Sequence, residues 1–174
     1  MRYTEKDREF FLQSADVLAP QLLGKMLCRR LKDGTELRFR ITEIEAYCHN
    51  DSACCGYKKS NMITDAIAPL FEEGGKCCSF KEMFYIVCNK KGFSDNVLIR
   101  SVGCHDQYCS GPRLLGKILD IEDDIHGRDI LDENSEIWIE DDGSSRDYCE
   151  VERKGMGKRI KEDDRNKKWR FVII

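Results

Sequence analysis

The chain has 174 residues, 41% hydrophobic and 35% charged, with a net charge of −3. That length and apolar content suit one globular domain with a sizeable core and exclude a disordered chain. No apolar run approaches the roughly 20 residues that span a bilayer, and residues 1–11 are charged and lack the apolar region of a secretory signal, so an intracellular protein with no membrane partner is expected.

In chain order, Ser14 stands at an N-cap position, and Ala15, Val17, Leu18, Leu22 and Leu23 give a short apolar helix face that ends at Gly24. Pro20 bends or restarts that helix. Residues 26–31 read as a strand, Asp33-Gly34 as a tight turn, and residues 36–47 as a long returning strand. Residues 50–65 are polar and irregular, and residues 72–75 form a turn. Two further strands are expected at 80–88 and 96–102, with Lys90-Lys91-Gly92 between them. Ser110-Gly111-Pro112 opens a helix with Leu114, Leu115, Ile118 and Leu119 on its apolar stripe. Residues 136–140 alternate as a half-buried strand, and residues 169–174 close the chain as another. The sum is an α+β fold of one domain, with mostly antiparallel strands and a few short helices.

Ten cysteines are many for this length: Cys28, Cys48, Cys54, Cys55, Cys77, Cys78, Cys88, Cys104, Cys109 and Cys149. None forms a C-x-x-C motif, and the vicinal pairs Cys54-Cys55 and Cys77-Cys78 suit one structural zinc poorly. In a reducing compartment they read as small buried apolar side chains. A metal or redox site assembled from dispersed cysteines is the alternative. The charge is unevenly spread. Residues 120–150 hold thirteen acids against two bases, whereas residues 152–170 hold nine bases against four acids. The basic segment has two readings, a phosphate-facing surface or a solvated face.

Glu43-Ile44-Glu45-Ala46-Tyr47 places two carboxylates two residues apart, on one face of a strand. Either both are surface acids, or one of them, beside an aromatic ring, activates water next to a stacked planar ligand. Further elements stand in order around this one. Leu22-Leu23-Gly24-Lys25-Met26-Leu27 precedes it, and Asp51-Ser52-Ala53, Val97-Leu98-Ile99-Arg100, Ser110-Gly111-Pro112-Arg113-Leu114-Leu115 and Trp169-Arg170-Phe171 follow. In this order and spacing, the chain resembles the alkyladenine (3-methyladenine, or methylpurine) DNA glycosylase family from about Phe10 to Phe171.

The resemblance implies a curved, mostly antiparallel sheet and a base-excision activity on double-stranded DNA containing damaged purines. It implies extrusion of the nucleotide, hydrolysis of its glycosidic bond, an abasic product, no metal or organic cofactor, and a monomer. Glu45 matches the general base for the attacking water, and Arg100 the arginine that helps hold it. Tyr47 matches the ring that stacks on the extruded base. For Arg100, an ion pair with a neighbouring acid is the bland alternative.

Two departures stand out. In the family's D-x-A-x-H element, Cys55 occupies the base-contacting histidine position, and a thiol is a poor donor; His49 lies near it in sequence. The family's DNA-inserting hairpin corresponds to residues 76–89, where Phe80 and Met83 are the candidate wedges. Met83-Phe84-Tyr85 equally suits a core strand, and Asn89, Val87 or Cys88 takes the place of the family's asparagine. Arg113, at the helix start, and Arg153, Lys154 and Lys158, around Gly155 and Gly157, are the expected phosphate contacts. The competing reading is a catalytically weak or inactive nucleic-acid-binding domain that keeps the fold.

Overall fold

The computed structural model describes residues 1–104, 107–121 and 123–174, with the side chains of Cys104, Gln107, Tyr108 and Asp123 outside the described set. Helices α1 (Arg8–Phe11) and α2 (Ala15–Leu22) lead into strands β1 (Met26–Arg30) and β2 (Glu36–Tyr47). After an irregular stretch come β3 (Cys77–Phe80), β4 (Met83–Val87), β5 (Asn96–Cys104), β6 (Gln107–Ser110) and α3 (Pro112–Ile118). The chain ends through β7 (Ile137–Glu140), β8 (Tyr148–Val151), α4 (Glu162–Arg165) and β9 (Arg170–Ile173).

The nine strands of the described residues join one antiparallel sheet, curled about β2 and β5. The first half of β2 pairs with β1, and its second half with β9, while its other edge runs along β5. Likewise the start of β5 pairs with β4 and its end with β6. Each long strand thus changes partner midway, which bends the sheet around its centre. One face carries the main core, where Leu18 and Leu22 of α2 and Leu115 of α3 meet Ile41, Ile44, Phe84, Ile86 and Ile99. The other face carries a second cluster, with Tyr47, Cys54, Leu70, Cys78, Tyr85 and Leu98 buried in it. Fully burying one such aliphatic or aromatic side chain contributes about 1.5–3 kcal/mol.

Pro20 lies inside α2, and Ser14 occupies the N-cap without a capping bond to the backbone. Its hydroxyl bonds Asp16 instead, and the Ala15 amide donates to Asp95 at 3.2 Å. The expected strand over residues 80–88 is two strands. β3 and β4 form a hairpin whose turn, Lys81-Glu82, has positive φ at both residues. Neither residue type favours that conformation, so the turn carried no sequence signal. Tertiary packing holds it: a Cβ on Gly116 of α3 would stand 2.0 Å from the Glu82 carbonyl oxygen. The α3 stripe is also narrower than expected, since Leu115 and Leu119 are buried but Leu114 and Ile118 are exposed.

Gly116→Ala is therefore expected to destabilise the protein by about 1–3 kcal/mol through overpacking, although alanine is the better helix former by about 1 kcal/mol. Thermal unfolding checks this. A variant that melts above the parent would show that the hairpin turn does not depend on this close approach.

Candidate active site

The site is built on β2. Glu43, Glu45 and Tyr47 alternate onto one face, and the strand register sets Arg100 against them. Between Ile41 and Glu43, β2 advances two residues to one on β5; between Glu43 and Ile44, β5 advances two to one on β2. Thr42 and Arg100 are thus the extra residues of two adjoining irregularities, the device that re-aims side chains next to functional sites. Arg100 consequently leaves the ladder and reaches both acids, with Nε 3.2 Å from Glu43 Oε1 and Nη1 3.2 Å from Glu45 Oε2.

Both carboxylates are buried, which removes the surface-acid reading. Glu45 is fully withdrawn from solvent and held at both oxygens. Tyr47 Oη donates to Oε2 at 2.7 Å, and the Lys154 backbone amide donates to Oε1 at 2.7 Å. Burial and the adjacent Glu45 charge raise the Tyr47 pKa well above its ordinary value, so the phenol stays protonated and donates. Glu43 accepts from Ser101 Oγ at 2.8 Å and pairs with Arg170 at 3.0 Å. Burial acts to raise the Glu43 pKa, but these bonds and the Arg100 charge outweigh it and leave it below the usual carboxylate range.

Arg153 differs from expectation. It is buried rather than presented to phosphate, and its guanidinium pairs with Asp51, itself buried. It also donates to the carbonyls of Ala46, at 2.8 Å, and Asp164, at 2.6 Å, and lies over the rings of Tyr47 and Trp169 at 4.8 and 5.4 Å. The guanidinium is wholly buried and so presents no donor to DNA, although its Nε has no partner among the described residues. Its role is to tie the loop after β2 and the basic segment to the end of β2. A second tie runs from the amide and hydroxyl of Ser52 to Asp164, at 2.9 and 2.6 Å.

These elements wall a cleft of about 360 Å³. Tyr47, Cys55, Met83, Arg100, Arg113 and Lys154, all singled out in the sequence, line it. Glu45 stands directly behind the wall, bonded to Tyr47, Arg100 and Lys154. Tyr85, Asn96 and Met156 line it as well and were missed. Tyr85 was legible in principle: alternation along β4 sends Phe84 and Ile86 to the main core, and Met83 and Tyr85 to the opposite face. Asn89, Val87 and Cys88 do not line the cleft; Asn89 adopts positive φ just after β4, and Val87 and Cys88 are wholly buried. His49 turns its ring to Asp95, with Nδ1 2.8 Å from Oδ1.

Phe80 and Met83 flank the hairpin turn, half-buried against the second cluster, and the tip itself is Lys81-Glu82. Lys158 is exposed, and the Arg165 guanidinium lies 3.2 to 3.4 Å from the carbonyls of Gly157, Lys158 and Ile160. Among the described residues, nine cysteines are free thiols, seven of them buried. Among the described residues, no group of three or more His, Cys, Asp or Glu side chains could hold a metal ion. No described helix is long and apolar enough to cross a membrane.

Comparison with known proteins identifies the family. The family model of methylpurine-DNA glycosylase (MPG) matches residues 9–174. A Borreliella afzelii protein named for 3-methyladenine DNA glycosylase is 36% identical over 185 residues, covering 96% of this chain and 95% of its own. A DNA-3-methyladenine glycosylase of Arabidopsis thaliana is 45% identical over 98 residues, covering 53% of this chain and 35% of its own. A Legionella pneumophila relative, also named for 3-methyladenine DNA glycosylase, is 28% identical across 95% of this chain and 92% of its own.

Arg153→Ala leaves Asp51 buried without its cation and is expected to cost about 3–5 kcal/mol in urea unfolding. A cost below about 1 kcal/mol would mean that the pair does not hold the loop. The depressed Glu43 pKa makes a second prediction. Its contribution to stability is complete above the ordinary carboxylate pKa and is lost as pH falls through the lower folded-state value. Acid unfolding of Glu43→Gln should therefore show a shallower stability decline below about pH 4.5 than the parent; parallel curves would contradict this account.

Proposed function

The chain belongs to the methylpurine-DNA glycosylase family and is a DNA repair glycosylase, and we propose that it flips alkylated or deaminated purines out of double-stranded DNA and excises them hydrolytically. The observation that carries this reading is Glu45, a fully buried carboxylate whose three bonded neighbours, Tyr47, Arg100 and Lys154, all line one cleft.

A stacked base is out of reach of any side chain, so the nucleotide rotates into the cleft at a cost of a few kcal/mol, least for a damaged or mispaired base. Tyr47, backed by Arg153, and Tyr85 offer aromatic surface to the base. Stacking contributes about 1–3 kcal/mol per base. Water enters beside Arg100, whose 3.2 Å bond to Glu45 Oε2 is longer than the bonds from Tyr47 and Lys154 and is the one exchanged. Glu45 takes the proton as the water oxygen attacks the anomeric carbon, and its charge favours the oxocarbenium-like sugar in the transition state. The base departs with the bonding electrons and an abasic sugar remains. Cationic alkylpurines leave readily, and neutral bases require protonation. Arg113, Lys154 and Lys158 meet phosphates. The reading includes no cofactor and takes the protein to act inside the cell, as a monomer.

Purified protein is incubated with duplexes carrying hypoxanthine, 1,N6-ethenoadenine or methylated purines, then treated with alkali. Strand breaks are expected only after alkali. Glu45→Gln should lower release by about 10²–10⁴-fold while leaving DNA binding within a few-fold. Undiminished release by that variant would refute Glu45 as the base. Binding without release across the panel would instead make the chain a binding module.

A further inference from the structure

Asn96 opens β5, four residues before Arg100, and is buried. It lines the main cleft and also a small apolar recess that shares Cys55 and Tyr85 with it. Its Nδ2 donates to the Ser94 carbonyl at 2.8 Å and to Cys54 Sγ at 3.5 Å, which uses both amide hydrogens. A carbonyl can only accept, so the Ser94 contact sets which way the amide points. Oδ1 receives no hydrogen bond from the described residues, nor is it among the polar atoms sealed from solvent without a partner. It is an acceptor left open to the cleft.

The other polar groups at this end are committed or weak. Tyr47 Oη is spent on Glu45, and Tyr85 Oη faces Met83 Sδ at 3.9 Å. Burial raises the pKa of both the Cys55 and Cys78 thiols, the latter to about 12, so both remain neutral and donate poorly. Among the described residues, the base end of the cleft therefore presents one strong unpaired group, an acceptor.

We propose that Asn96 is a specificity-determining residue: Oδ1 accepts a hydrogen bond from an N–H on the Watson–Crick edge of the extruded purine, so the enzyme selects bases that keep such a donor and rejects bases whose edge is capped. The 6-amino group of 3-methyladenine and the N1–H of hypoxanthine qualify, whereas the fused ring of 1,N6-ethenoadenine removes every donor from that edge. A capped base would bury Oδ1 without a partner, the situation in which a hydrogen-bonding site discriminates most strongly. The inference rests on the base-excision reading of the same cleft.

The test separates recognition from leaving-group chemistry by using two neutral lesions and the Glu45→Gln protein. Duplexes of one sequence, with hypoxanthine or ethenoadenine opposite thymine, compete for it. Affinity for the hypoxanthine duplex is expected to exceed that for ethenoadenine by about ten- to a hundredfold. Adding Asn96→Ala should bring the ratio to within about twofold; a purely structural role for Asn96 would weaken both duplexes together and leave the ratio standing. Equal affinities before the second substitution would overturn the proposal without need of that variant, as would a ratio unmoved by it. Failure of the unsubstituted protein to release any methylated purine overturns the glycosylase reading separately.

Discussion

The geometry of the site depends on one buried ion pair, Arg153 with Asp51, which touches no part of the Glu45 carboxylate. Each of these charges alone would cost several kcal/mol to remove from water. Together, with the carbonyls of Ala46 and Asp164 and the rings of Tyr47 and Trp169, both terminal nitrogens of the guanidinium find partners where it lies, and only its Nε goes without one among the described residues. The consequence is positional. Once Arg153 is seated against the end of β2, the next residue along the chain must pass Glu45, and its amide meets Oε1. The loop carrying Cys55 is gripped from the other side through Asp51 and Ser52. Such a pair adds little net stability over a well-packed apolar substitute, but it permits far fewer arrangements of the two segments that it joins.

The sheet separates two tasks by face. Residues pointing one way along β2, β4 and β5 build the apolar core, and those pointing the other way build the cleft and its backing cluster. Side chains on the cleft face are accordingly held by charge and hydrogen bonds more than by packing. Glu43, Glu45, Arg100 and Arg170 form a network with two formal charges of each sign, bought with two strand irregularities and a Thr42 hydroxyl that has no partner among the described residues. Donors placed in advance around a carboxylate need not reorganise when charge develops nearby, the chief source of electrostatic catalysis.

Much of this was legible in the sequence, for specific reasons. Strands of strong alternation or continuous apolar character, such as β2 and β5, follow from period alone, and Glu45, Tyr47 and Arg100 stand out as chemistry on those strands. What escaped depends on partners distant in sequence. Arg153 belongs to a run of bases and carries no mark that distinguishes a buried guanidinium from an exposed one; only the position of Asp51 decides. The Lys81-Glu82 turn is dictated by α3 pressing on it, not by the propensity of either residue. Asn96 reads as the first residue of an ordinary strand, and it lines the cleft only because β5 begins opposite Tyr47. Short strands such as β6 and β8 exist through pairing with longer neighbours and have little signal of their own.

The sulfur-rich interior has a meaning of a different kind. Reagents that alkylate purines are electrophiles, and a thiolate is the most nucleophilic side chain they meet in a protein, far more so than a thiol. Burial lifts Cys28 and Cys78 from a pKa of 9.0 to about 12, which lowers the thiolate population by about a thousandfold, since each pKa unit is a factor of ten. The same burial raises the Cys48, Cys54, Cys77 and Cys88 thiols. A DNA repair protein thus carries most of its soft nucleophiles in their inert form, with Cys149 the one exposed thiol among the described residues. Its endurance during an alkylating insult rests on the same apolar packing that gives it a fold.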